Sequence, residues 1–71
     1  MKLHYYPETD SLYIELNAGP GAEVREVADG LNVDIDAAGN VVGFDIDQAS
    51  SRLDLSTLET IALPLRTTRA A

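Results

Sequence analysis

Residues 31–47 read Leu31-Asn32-Val33-Asp34-Ile35-Asp36-Ala37-Ala38-Gly39-Asn40-Val41-Val42-Gly43-Phe44-Asp45-Ile46-Asp47, and the alternation in them decides the fold. Side chains on a strand point to opposite faces in turn, so Leu31, Val33 and Ile35 share one face and Asn32, Asp34 and Asp36 the other. Beyond Ala37–Asn40 the pattern resumes, with Val42, Phe44 and Ile46 in one phase and Val41, Gly43, Asp45 and Asp47 in the other. Residues opposite each other in an antiparallel ladder share a face. A four-residue loop pairing Asp36 with Val41 sets Ile35 against Val42 and Val33 against Phe44, so the apolar sets coincide. A three-residue loop would set Asp34 against Val42 and mix the faces. The stretch therefore predicts a hairpin with one apolar and one acidic face.

Upstream, Leu3 and Tyr5, then Leu12, Ile14 and Leu16, alternate in the same way around Pro7-Glu8-Thr9-Asp10-Ser11. Proline fixes φ there and the short polar side chains bond their own backbone, which predicts a second hairpin. Ala18-Gly19-Pro20-Gly21-Ala22 breaks any ladder. Val24 and Val27 beyond it are out of phase with each other, as on a short bulged edge strand. Ala28-Asp29-Gly30 is a tight turn, since Asp-Gly tolerates positive φ.

Downstream the period of two ends. Gln48-Ala49-Ser50-Ser51-Arg52-Leu53 contains no β-branched residue and follows Asp47, a candidate N-cap, which predicts one or two helical turns. Ser56-Thr57-Leu58-Glu59 matches a capping box, but Pro64 would soon stop a helix there. The alternation of Ile61, Leu63 and Leu65 favours a last extended segment with Pro64 at an edge. The expected fold class is α+β, mainly β: an antiparallel β-meander of about five short strands with a short C-terminal helix. It forms a single β-rich domain over residues 1–66 with a flexible tail over 67–71.

In 71 residues, five Lys and Arg face twelve Asp and Glu, for a net charge of −7; 45% of residues are hydrophobic and none is cysteine. Disulfides and thiolate metal sites are excluded. A chain this short hides only about 60% of its unfolded surface, and an open sheet with one apolar face gains from a second copy, so a homodimer or higher assembly is expected. No apolar run approaches the roughly 20 residues of a membrane span, and the N-terminus lacks a signal-peptide h-region, so a cytoplasmic protein without membrane contact is expected. The negative charge repels phosphate backbones, and the cations are scattered, which disfavours nucleic acid. The charge is also uneven. Residues 60–71 carry Arg66 and Arg69 with no acid, whereas 23–59 carry nine acids against Arg25 and Arg52.

Several residues could carry chemistry. Asp34, Asp36, Gly39 and Asp45 fall at the first, third, sixth and last positions of an EF-hand calcium loop. Ala38 stands where an oxygen ligand belongs, however, Asp45 replaces a bidentate Glu, and the flanks are strands, so no metal or other cofactor is assigned to Asp34, Asp36 and Asp45. A solvated acidic face that resists edge-to-edge aggregation explains them more simply. Asp34, Asp36, Asp45 and Asp47, with Arg52 as their internal counter-ion, are also the residues that could meet a small basic protein. His4, the only histidine, shares a strand face with Tyr6 and Lys2 and is near Tyr5 and Tyr13. An enzyme or metal site built from His4, the tyrosines and the aspartates across a subunit interface is the alternative. Ser50, Ser51 and Ser56 lie in no nucleophile elbow, and Gly19-Pro20-Gly21 is no phosphate loop, so no catalytic residue is assigned.

Three stretches together resemble a family of small bacterial proteins, DUF2283: Tyr6-Pro7-Glu8-Thr9-Asp10-Ser11-Leu12-Tyr13-Ile14, Gly30-Leu31-Asn32-Val33-Asp34-Ile35-Asp36, and Gly39 to Ile46 with Ala49-Ser50-Ser51-Arg52-Leu53. The resemblance spans roughly residues 2–55. It implies a compact β-rich domain and supplies no catalytic residues. The function expected from the residues is a non-enzymatic, homo-oligomeric protein-binding module, and in size and acidity such proteins are similar to antitoxins, an association in the same direction.

Overall fold

The computed structural model describes residues 1–65; Arg66 and the expected tail over 67–71 lie outside the described residues. Five strands, β1 (Lys2–Tyr6), β2 (Ser11–Glu15), β3 (Glu23–Ala28), β4 (Leu31–Ile35) and β5 (Val41–Ile46), precede one short helix, α1 (Ala49–Arg52). All neighbours are antiparallel, in the order β1-β2-β5-β4-β3. The meander is interrupted at one link. β2 pairs with β5 rather than with the next strand in sequence, and residues 16–22 carry the chain across to the far edge. Val42's carbonyl accepts from the amides of Leu16 and Asn17 at one end of this crossing, and Ile35's carbonyl accepts from Ala22 at the other. The Gly19-Pro20-Gly21 break makes it possible, and matching apolar phases make β5 the better neighbour: Leu12 faces Ile46 and Ile14 faces Phe44.

The β4–β5 hairpin has the expected pairs Val33–Phe44 and Asp34–Gly43, but next to the loop Ile35 pairs with Val41, one residue from the expected Val42. The cause is local. The Asp36 carboxylate accepts from the amides of Ala38 and Asn40 at 3.0 and 2.8 Å, tightening the loop and leaving Val42 as an extra, bulged residue. β3 is the bulged edge strand that the out-of-phase valines predict, with its register shift between Glu26 and Ala28. Its phase is inverted against the sheet: Arg25 lies opposite Val33 and Glu23 opposite Ile35, at the border of the apolar face, where the two form an ion pair of 2.9 Å. Gly30 turns the chain from β3 to β4 at φ 76°.

Helix α1 sits where the β1–β2 turn, the β3–β4 turn and the end of β5 meet. The expected cap, Asp47, does not cap it. Gln48 occupies the N-cap position in the left-handed region, and the capping groups come from Asp10 in the distant first turn. Asp10 accepts from the amide and the hydroxyl of Ser50 at 3.0 and 2.7 Å through its carboxylate, and from the amide of Ala49 through its carbonyl. The capping-box pattern at Ser56 starts no helix, because Asp54 draws the hydroxyls of Ser56 and Thr57 and the Ser56 amide into a turn. Nor do residues 61–65 form a strand. Ala62 at φ 60° and a Leu65-to-Leu63 backbone bond around Pro64 bend them instead. The core comprises Leu12, Val33, Ile35, Val42 and Ala49, and no large side chain among the described residues is wholly shielded from water.

Candidate functional site

On the polar face, the ladder lays side chains out in rows across the sheet. One row runs His4, Tyr13, Asp45, Asn32, Glu26; the next runs Lys2, Glu15, Gly43, Asp34, Val24. Tyr13 on β2 crosses β5 to reach Asp34 on β4, donating its hydroxyl to Oδ2 at 2.6 Å. The crossing is open only because residue 43 is glycine: a β-carbon there would meet the Tyr13 hydroxyl oxygen at 2.1 Å. The bond to the Asp34 carboxylate, followed by burial, pushes the Tyr13 phenol up to about 12. Asp45 is itself raised, first by loss of solvent and then by the neighbouring charges of Asp47 and Asp34.

The five residues expected to meet a partner are thus not one patch. Asp34 is engaged by Tyr13, and Asp36 is spent on the loop amides, whose bonds hold its carboxyl below the usual range. Asp45 remains on the polar face, and Asp47 follows it at the sheet end, where its amide donates to Gly30's carbonyl. Arg52 pairs with neither aspartate. Its guanidinium lies against Gly30 of the β3–β4 turn, 2.7 Å from where a β-carbon would stand, because the helix end points it there. Asp34, Asp36 and Asp45 likewise do not converge, and among the described residues no three His, Asp or Glu side chains could hold a metal ion. His4 stacks on Tyr6 at 4.2 Å between ring centroids, and Tyr6, Thr9, Ser11, Tyr13 and Asp45 border an open depression of about 380 Å³.

Sequence reasoning missed two roles. Tyr13 ties the polar face together over Gly43, and a tyrosine, a glycine and an aspartate in phase on what become adjacent strands is the signal for it. Asp10 joins the first turn to the helix and also accepts from the Tyr5 hydroxyl at 2.7 Å. Those donors, Ser50 first and then Tyr5, lower its carboxyl below the ordinary range. No local pattern announces a cap forty residues away.

The opposite face carries an apolar groove of about 690 Å³, with Leu3, Tyr5 and Leu12 on the sheet side and Leu53, Leu55 and Leu58 on the other. Leu3, Tyr5, Leu55 and Leu58 are all exposed, Leu58 at 76%.

A family described as a protein of unknown function, DUF2283, matches residues 2–50. The chain belongs to the DUF2283 family. No curated protein and no solved structure matches the chain. The DUF2283 match takes in all five strands and the start of α1, so it covers the whole polar face and the sheet side of the groove. The other wall of the groove, Leu53 to Leu58, lies beyond it.

Proposed function

We propose that this DUF2283 protein is a non-enzymatic binding module that works as a homodimer, closing its apolar face against a second copy and offering its acidic face to a basic protein. The observation that carries the proposal is the size of the core. Five buried apolar side chains among the described residues are few for an independent fold, while Leu3, Tyr5, Leu53, Leu55 and Leu58 surround a groove on the same face. With no disulfide and no assembled metal cluster among the described residues, association is the stabilising device left. The other face is suited to a different kind of contact, since Asp45 and Asp47 repel each other and would be relieved by a cation.

Sedimentation equilibrium of the full chain tests this. A dimer at micromolar concentration is expected, and a monomer persisting at millimolar concentration would refute it. A lysine-rich peptide serves as the probe of the acidic face, and Asp45→Asn with Asp47→Asn should weaken its binding severalfold.

A further inference from the structure

We propose that the apolar groove of one copy is filled by residues 60–65 of the second copy, in a reciprocal exchange of C-terminal arms. This rests on the dimer proposed above and names the segment that makes it.

Four observations converge on the arm as the occupant. The first is pattern: Ile61, Leu63 and Leu65 alternate, so an extended arm would present all three to one side, matching a groove walled by leucines and Tyr5. The second is lack of use within one copy. Ile61 is 80% exposed and Leu65 55%, although Leu58, three residues before Ile61, forms part of the groove wall. The third is backbone strain. Ala62 sits at φ 60°, where a β-carbon crowds the following carbonyl, and straightening the arm would release it.

The fourth is charge. Residues 1–59 hold Lys2, Arg25 and Arg52 against all twelve acids, 3 − 12 = −9, whereas residues 60–71 hold Arg66 and Arg69 and no acid, +2. Two like-charged bodies repel, whereas residues 60–71, with two arginines and no acid, are attracted by the negative body of the other copy. Asp54 stands in the groove lining and Asp10 is bonded to its Tyr5, so the receiving site carries carboxylates beside its apolar walls. Pro64, which lacks an amide hydrogen, does not hinder docking by side chains into a groove.

The test is sedimentation equilibrium on the full chain carrying Ile61→Asp and Leu63→Asp, with far-ultraviolet circular dichroism to verify the sheet. Both positions are exposed in a single copy, so the sheet should be unchanged. The dimer dissociation constant should rise at least about tenfold, the change that ~1.4 kcal/mol of lost contact produces. Isotope-filtered NMR on a mixture of labelled and unlabelled wild-type chains should show contacts from the Ile61 methyls of one copy to the Tyr5 ring of the other. A dimer that the double substitution leaves at wild-type strength would overturn the arm exchange while leaving the dimer intact, as would arm contacts confined to a single copy. A wild-type monomer at millimolar concentration would instead remove the dimer itself.

Discussion

At the scale of single residues, the Tyr13–Gly43–Asp34 crossing is the most specific feature of the polar face. Gly43→Ala puts a methyl group where the Tyr13 ring passes and should cost about 1–3 kcal/mol, as overpacking does. Tyr13→Phe should cost about 1 kcal/mol through the lost hydrogen bond. The combination of Gly43→Ala with Tyr13→Ala should cost less than the sum of the two, because the clash goes with the ring; urea midpoints of the three variants measure this. The crossing also has a pH signature. The folded phenol titrates at about 12, above its ordinary value of 10, so its contribution is complete below pH 10 and is lost as the pH climbs towards 12. Urea unfolding across that window should show a larger loss in the wild type than in Tyr13→Phe, where Tyr5, raised by its own bond to Asp10, still contributes. Asp45 has the opposite sense to a stabilising carboxylate: its folded form favours the proton, so at neutral pH its charge opposes folding. Asp45→Asn should therefore raise the urea midpoint at pH 7.

At the scale of elements, the helix depends on a turn far away in the chain. Asp10→Ala removes the acceptor for the Ser50 amide and hydroxyl at once, so α1 should fray while the sheet persists. Backbone amide exchange read by NMR should show Ser50 to Leu53 losing protection ahead of the β4 and β5 amides, and Asp47→Ala should leave them protected. Asp10, Asp36 and Asp54 all have carboxyls lowered by hydrogen bonds, so their contribution is present above the ordinary carboxylate value and is lost as the pH falls through their folded values. Strand positions, the Asp-Gly turn, the bulged edge and the Val33–Phe44 register were legible in the sequence, because a buried face allows only one phase. What the sequence hid was non-local. Asp10 outcompetes the adjacent Asp47 as cap, Asp36 shifts the last pair of its hairpin by capturing loop amides, and β2 finds β5 across the long crossing. The alternation of residues 61–65 was equally visible, but these residues bend at Ala62 and Pro64 and pair with neither edge strand.

For the whole molecule, the two faces should respond to salt in opposite ways, which separates the two kinds of contact proposed for them. A charge of −7 on a 71-residue chain makes folded copies repel at long range, and at physiological ionic strength the screening length is about 8 Å. Burial of apolar side chains carries no charge of its own, so dimerisation through the groove should hold or strengthen as salt rises from about 0.01 M to 0.15 M. Since only the folded chain can dimerise, the melting temperature should also climb with protein concentration at every salt level. Arg66 and Arg69, which follow the arm in sequence, pull the other way, but they are few against the charge of 3 − 12 = −9 on residues 1–59, so relief of body–body repulsion sets the sign. Binding of a lysine-rich peptide to the acidic face has no such apolar component and should weaken steadily over the same range. Parallel sedimentation and calorimetric titrations along one salt series read both trends. If the dimer dissociated with added salt as fast as the peptide did, the association between copies would be electrostatic, and the apolar face would not be what joins them.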